Sequence, residues 1–228
     1  MIRSMVRTLV KRPYVWLRNT TETLLFERRY GVKTAGEVTL EELGVAGKDR
    51  QLYLPSGIMR LRRILPRREV TDRDVFLDIG SGMGRVVLQA ALHYPFARVI
   101  GVELSDQLND VARQNLERNR DRLRCRDVSL INADALEYEI PDDVTVVYIY
   151  NSFQGATFKA VLDDLLASVD RNPRMVRIIY SNPVEEQQLL ATGRIRLVRV
   201  LRGWRPTESW SRSNSVRMFA IDPPSTAA

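Results

Sequence analysis

Val75-Phe76-Leu77-Asp78-Ile79-Gly80-Ser81-Gly82-Met83-Gly84-Arg85-Val86-Val87 decides how this chain folds. The apolar residues read as a buried β-strand that ends around an acidic residue. Three alternating glycines then turn the chain into a helix. A strand, a glycine turn and a helix N-terminus together bring backbone close to a bound nucleoside. The glycine spacing separates the classes of nucleoside. A dinucleotide turn asks for G-x-G-x-x-G/A. The sixth position is Arg85 counted from Gly80 and Val87 counted from Gly82, so both registers fail. What remains is D-x-G-x-G-x-G.

Outward from this stretch, strands and helices alternate. Strands are expected at Val75–Ile79, Arg98–Glu103, Val128–Asn132, Val144–Tyr150 and Met175–Ser181. Helices are expected from the glycine turn to His93, after Ser105 as a cap, and from about Ala156 to Val169. Pro183 is expected in the first turn of a further short helix. Ile195–Leu201 and Ser215–Ile221 follow with no helical stretch between them and read as a hairpin with a long tip. Alternating βα units imply a parallel sheet covered by helices on both faces, with ligands outside the carboxyl ends of the strands. Before the core, Ile2, Met5, Val6, Leu9 and Val10 mark one face of a helix that Pro13 ends or kinks. A second helical stretch runs from Val15 to Arg28. Thr39-Leu40-Glu41-Glu42 is a capping-box pattern, and Ser56 is placed to cap a helix carrying Ile58, Leu61, Ile64 and Leu65. The organisation expected is a helical arm or lid over 1–70, a nucleoside-binding domain over 71–222 and a frayed tail over 223–228.

The 228 residues suffice for one good core. A single cysteine, Cys125, excludes an internal disulfide and fits a reducing, cytoplasmic setting. One histidine and one cysteine argue against a His/Cys metal site. No apolar run reaches membrane-span length. The net charge of +7 is concentrated in residues 1–33, which hold eight basic residues against Glu22 and Glu27. The rest of the chain is close to neutral, which argues against a nucleic-acid surface on the core. The basic arm reads as a contact for the core, a second subunit or an acidic surface, or as an Arg-rich targeting segment.

The D-x-G-x-G-x-G stretch resembles motif I of the class I S-adenosylmethionine (SAM) methyltransferases. Residues Asp74 to Gln89 are similar in wording to the non-SET histone-lysine methyltransferases, and Tyr53-Leu54-Pro55-Ser56 resembles the Y-x-P segment that covers SAM in them. The chain is also similar to small prokaryotic methyltransferases of unassigned substrate, which share its Arg28 to Gly36 segment. The resemblance implies an α/β fold: a doubly wound, mostly parallel seven-stranded Rossmann-like sheet with an N-terminal helical arm. It implies SAM as cofactor, S-adenosylhomocysteine as product and no metal. Cofactor contacts are expected at Tyr53, Ser56, Asp78, Gly80, Ser81, Gly82, Gly84, Arg85, Glu103, Leu104, Asp134, Ala135 and Asn151. Gly80 lets backbone approach the ligand, Gly82 supplies a positive φ, and Gly84 lets the helix start close to the sheet. Asp78 is expected to hold the turn and reach the ligand's ammonium. Glu103 suits a ribose diol. Asp134 suits the adenine amino group, or serves as an ordinary turn cap.

Strand four ends Tyr150-Asn151-Ser152-Phe153, without the Pro-Pro of many enzymes that methylate planar amino groups. The expected acceptor face is Asn151, Tyr150, Phe153, Tyr30 and Tyr53, the aromatic members being equally suited to core or wall positions. His93 reads as a helix-end residue. Cys125 reads as a bystander, although flanking arginines would lower its pKa if it were exposed. Arg113, Arg118 and Arg120 read as a solvated helix face. The acceptor is expected to be a protein lysine or a small metabolite ahead of RNA. A SAM-binding protein without catalysis is the alternative, and a dehydrogenase the outsider.

Overall fold

The computed structural model describes residues 12–35, 56–150, 152–202 and 215–223. Seven strands, β1 (Val75–Ile79), β2 (Arg98–Glu103), β3 (Val128–Asn132), β4 (Val146–Ile149), β5 (Val176–Ser181), β6 (Ile195–Leu201) and β7 (Val216–Ile221), form one sheet. Its order is β3-β2-β1-β4-β5-β7-β6. β1 pairs in parallel with both β2 and β4. β7 lies antiparallel between β5 and β6, so the expected hairpin closes the sheet with its second strand inserted. The result is the doubly wound, mostly parallel seven-stranded sheet.

Every residue of β1 is buried because both faces of the sheet are covered. On one face Leu77, Ile79, Val147 and Ile149 pack with Phe158, Leu162 and Leu165 of the helix α5 (Gly155–Arg171). On the other, Phe76, Val146 and Tyr148 pack with α2 (Arg60–Ile64) and α3 (Arg85–His93). α4 (Asp106–Glu117) follows β2, with the Ser105 hydroxyl accepting from the Leu108 amide at 3.3 Å, the cap expected there. α6 (Glu186–Ala191) precedes the hairpin.

The arm is one helix over its described part, α1 (Arg12–Tyr30). Pro13 sits in its first turn, where its missing N–H is no loss, and the helix it is expected to end lies outside the described residues. The C-terminal end of α1 is sewn to α4. Asn119 Nδ2 donates to the Tyr30 carbonyl at 3.0 Å, Asn115 Nδ2 to that of Lys33 at 2.7 Å, and Arg118 to that of Gly31 at 2.9 Å. Arg118 is exposed, as expected of that helix face, and also clamps the arm.

Several expected boundaries move. Ser56 does not cap α2, whose first turn has no side-chain cap. Pro183 lies ahead of α6, which begins at Glu186. β4 is two residues shorter at its start and one at its end than its apolar run suggests. The expected helices at Ile2–Val10 and Thr39–Glu42, the hairpin tip and the tail beyond 223 lie outside the described residues. Among the described residues no helix is long and apolar enough to cross a membrane.

Candidate functional site

The glycine turn leaves β1 at the carboxyl edge of the sheet. Val102 of β2 accepts from the amides of Gly80 at 2.9 Å and Ser81 at 3.0 Å, which ties the turn to the neighbouring strand. Gly80, Gly82 and Gly84 all have positive φ, at 78°, 54° and 74°. Two of them are also sterically required. A Cβ on Gly80 would stand 2.2 Å from the Ser152 hydroxyl, so the loop after β4 closes directly on the turn. A Cβ on Gly84 would stand 2.8 Å from the Ala112 methyl. Gly84 therefore brings α3 against α4, not against the sheet as its motif position suggests.

Two carboxylates flank the turn, with roles partly exchanged relative to expectation. Glu103, not Asp78, braces it: Oε2 accepts from the Gly82 amide at 2.8 Å and Oε1 from the Ser105 amide at 2.9 Å. Burial pushes the Glu103 carboxyl up, and the amides of Ser105 and Gly82 pull it part of the way back. Beyond the amides of Ser105, Gly82 and Leu104, acceptor capacity is left for a diol. Asp78 is only 3% exposed, and among the described residues no hydrogen bond reaches its carboxylate. Burial first, and the Glu103 charge second, hold its pKa well above the ordinary carboxylate range. A buried carboxylate without a partner is a costly feature that a cation would relieve.

Across the β1–β4 pair Asp78 is in register with Tyr148. The Tyr148 hydroxyl is hydrogen-bonded to the Ser56 hydroxyl, and burial pushes the phenol up to about 12. Arg60 donates to the Ser181 hydroxyl at 2.6 Å and lies 5.5 Å from the Tyr150 ring centroid. Tyr148, Ser181, Ser152 and Arg60 thus join the expected Ser56 and Tyr150 at this edge. Period-two alternation puts Tyr148 on one face of its strand, but only the register sets it opposite Asp78. At the end of β3, Asp134 Oδ1 accepts from the Leu136 amide at 3.1 Å, and Ala135 is half-buried beside it. Asn132 Nδ2 donates to the Leu104 carbonyl at 2.9 Å, fixing the loop after β2.

Four expected site residues turn away. Tyr30 is buried against His93, its hydroxyl 3.5 Å from Nε2, at the far end of α3 from the glycine turn. The nine residues of α3 span about 13 Å, so Tyr30 is not on the acceptor face. Phe153 is 4% exposed and packs on Phe158 in the core of the opposite face. The Ser81 hydroxyl is buried without a partner among the described residues, turned toward Gly101 of β2. Arg85 is 4% exposed and donates to the Thr34 hydroxyl and carbonyl at 2.9 Å each and to the Ser56 carbonyl at 3.0 Å. It holds the chain on either side of residues 36–55 and does not point at a ligand. Tyr53 and Asn151 lie outside the described residues.

His93 ends α3 as expected, with burial first and then Arg62, Arg29 and Arg67 holding its pKa down. Cys125 is buried, its thiol 3.3 Å from the Asp127 carbonyl, and burial pushes its pKa up despite the flanking arginines. Among the described residues no group of His, Cys, Asp or Glu is placed to hold a metal ion.

Comparison with known proteins gives three kinds of likeness. The family described as histone methylation protein DOT1 matches residues 57–191, which include the glycine turn, Glu103, Asp134 and the end of β4. A protein-lysine N-methyltransferase of Saccharolobus islandicus is 30% identical over 98 residues, 43% of this chain and 58% of that one. A probable ribosomal RNA small subunit methyltransferase A of Methanopyrus kandleri is 32% identical over 104 residues, 44% of this chain and 34% of that one. The chain thus spans less than two thirds of either relative. The crystal structure of the B. subtilis M1A22 tRNA methyltransferase TrmK superposes with a TM-score of 0.52 at 18% identity. It covers 72% of this chain and 65% of that one, a likeness of fold.

Proposed function

Because the chain belongs to the family of the histone methylation protein DOT1, we propose that it moves a methyl group from SAM to the ε-amino group of a lysine in a protein partner. The observation that carries the reading is the Asp78 carboxylate, buried and without a hydrogen bond among the described residues, beside a turn braced by Glu103. SAM bears two positive centres, an ammonium and a sulfonium, and a ribose diol. A buried unpaired carboxylate suits the ammonium, and the remaining acceptor capacity of Glu103 suits the diol. Asp134 and the backbone at Ala135 suit the adenine.

SAM supplies a methyl group on an already activated leaving group. The residues of this chain then mainly position and exclude water. Gly80 and Ser152 close the floor of the site. The Tyr148 phenol stays protonated at neutral pH, so with Ser56 it offers neutral hydrogen-bonding groups near the reacting atoms. An acceptor amine must first lose a proton, which a water-poor wall favours. Its lone pair forms the new N–C bond as the S–C bond breaks, and the electron pair of that bond goes to sulfur. The methylated nitrogen then releases its extra proton to solvent.

The test uses methyl-tritiated SAM and a lysate of the source cells, fractionated after reaction. Label recovered as methyl-lysine from acid-hydrolysed protein supports the reading. Label in the RNA fraction moves the acceptor to RNA, the activity carried by the Methanopyrus relative's name. Label in the low-mass fraction moves it to a metabolite. Calorimetry that finds no binding of SAM or S-adenosylhomocysteine overturns the methyltransferase reading itself.

A further inference from the structure

A cavity of about 290 Å³ opens between α1, α2 and α3, away from the glycine turn. Its lining includes the buried side chains of Phe26, Tyr30 and Gln89. Its apolar walls include Leu25 and Met59, which are 67% and 44% exposed. Arg29 and Arg62 also line it, and among the described residues no carboxylate does. Among the described residues neither arginine has an ion-pair partner. Gln89 donates through Nε2 to the Arg85 carbonyl at 3.2 Å, while its Oε1 is buried with no partner. Buried acceptors without a partner are rare and point to a missing donor. Two guanidinium groups with no carboxylate partner among the described residues, that of Arg29 5.7 Å from the Tyr30 ring centroid, stand over an apolar hollow and point to an anion with an apolar body. The volume lies just below the range of ligand clefts, about 300–1,000 Å³, and suits a compact ligand.

We propose that this cavity is a second ligand site, for a compact amphiphile with its apolar body against Phe26, Leu25 and Met59 and one anionic head between Arg29 and Arg62. A hydroxyl or ester-adjacent donor on such a molecule would satisfy Gln89 Oε1. The site sits one helical turn beyond Arg85 on α3, so its occupant bears on the helix that holds Thr34 and Ser56. The same chemistry is offered by a soluble medium-chain phosphate or carboxylate and by the headgroup and upper chain of an anionic lipid.

The test is calorimetric titration of the full chain with octyl phosphate, inorganic phosphate and octanol. The expected result is binding of octyl phosphate alone, weakened at least about tenfold in the Arg29→Ala/Arg62→Ala double variant. Leu25→Glu places a carboxylate at the exposed mouth without disturbing the core, and it is expected to abolish binding with an unchanged melting temperature. Competition by phosphatidylglycerol vesicles assigns the head to a lipid, and persistence of octyl phosphate binding assigns it to a soluble amphiphile; both support the site. No binding of octyl phosphate, equal binding by inorganic phosphate, or full affinity in the double variant overturns it. None of these readouts depends on SAM.

Discussion

Glu103 Oε2 stands 2.8 Å from the amide nitrogen of Gly82, so the last side chain of β2 fixes the middle of the turn that follows β1. Its other oxygen holds the Ser105 amide at 2.9 Å, where α4 begins. One carboxylate thereby sets two backbone segments that line the same cleft. Glu103→Ala strands two amides and removes the expected diol acceptor. It should cost about 1–3 kcal/mol of stability in urea unfolding and weaken SAM binding by roughly 100-fold or more. Glu103→Gln keeps one oxygen as an acceptor and should fall between wild type and Ala in both measurements. An Ala variant with normal stability would show that the Gly82 contact does not hold the turn.

Gly80 is confined in two ways at once. Its φ of 78° disfavours any side chain, and a Cβ there would stand 2.2 Å from the Ser152 hydroxyl and 2.5 Å from its Cβ. Gly80→Ala should therefore destabilise the fold by about 2–4 kcal/mol, combining backbone strain with overpacking. Adding Ser152→Gly removes the overlap and leaves the φ strain, so the double variant should recover part of that loss and not all of it. Chemical denaturation of the four proteins in the cycle reads this directly. Full recovery would assign the whole cost to packing.

The pattern of apolar runs sufficed for Val75–Ile79, Arg98–Glu103 and Val128–Asn132, whose ends fall where the structure has them. These are local features, and the glycine turn is local as well. What the chain does not display locally is register. Asp78 meets Tyr148 only because β4 pairs with β1 in one alignment, and nothing near Tyr148 announces it. Arg85 follows the motif, so it reads as facing the ligand, yet its partners are Thr34 and Ser56, 51 and 29 residues away. Tyr30 fails in the same way, through a contact with His93 that is 63 residues distant. Tyr30 and Arg85 are thus misplaced because their burial depends on how the arm docks, a tertiary fact.

Asp78 makes apo stability depend on pH. Its folded pKa lies well above its unfolded value, chiefly through burial. The folded free protein therefore keeps a proton that the unfolded chain has released. That stabilising contribution is fully present below the unfolded carboxylate pKa, declines as pH rises above it, and is lost once pH passes the folded value. Asp78→Asn removes the titration. The variant should be more stable than wild type above about pH 5 and flatter in its pH profile, while losing SAM binding. In the wild type, SAM binding at mildly acidic pH should release protons, because the ligand's cation favours the ionised carboxylate. Calorimetry in two buffers of different ionisation enthalpy measures that release. Proton uptake, or none, would remove Asp78 from the ammonium site.

Arg85 supplies the sharpest test of how the arm is held. Its guanidinium is buried and spreads its donors over the Thr34 hydroxyl and carbonyl and the Ser56 carbonyl. Lysine keeps the charge but has a single nitrogen in place of the planar fork. It reaches one of these acceptors and leaves the others buried and unmet. Arg85→Lys should cost about 2–3 kcal/mol, a large loss for a charge-conserving change. Thr34→Val removes a hydroxyl and keeps the carbonyl, so it should cost about 1 kcal/mol. If the two groups act on each other, the double variant should be more stable than the sum of the single losses predicts, by about 0.5–1 kcal/mol. Urea unfolding of the four proteins gives the coupling. SAM affinity should fall in Arg85→Lys as well, because the lost anchor lies at Ser56, whose hydroxyl is hydrogen-bonded to that of Tyr148. Strict additivity in stability, with SAM affinity unchanged, would mean that Arg85 packs the helix without tying the arm to the site.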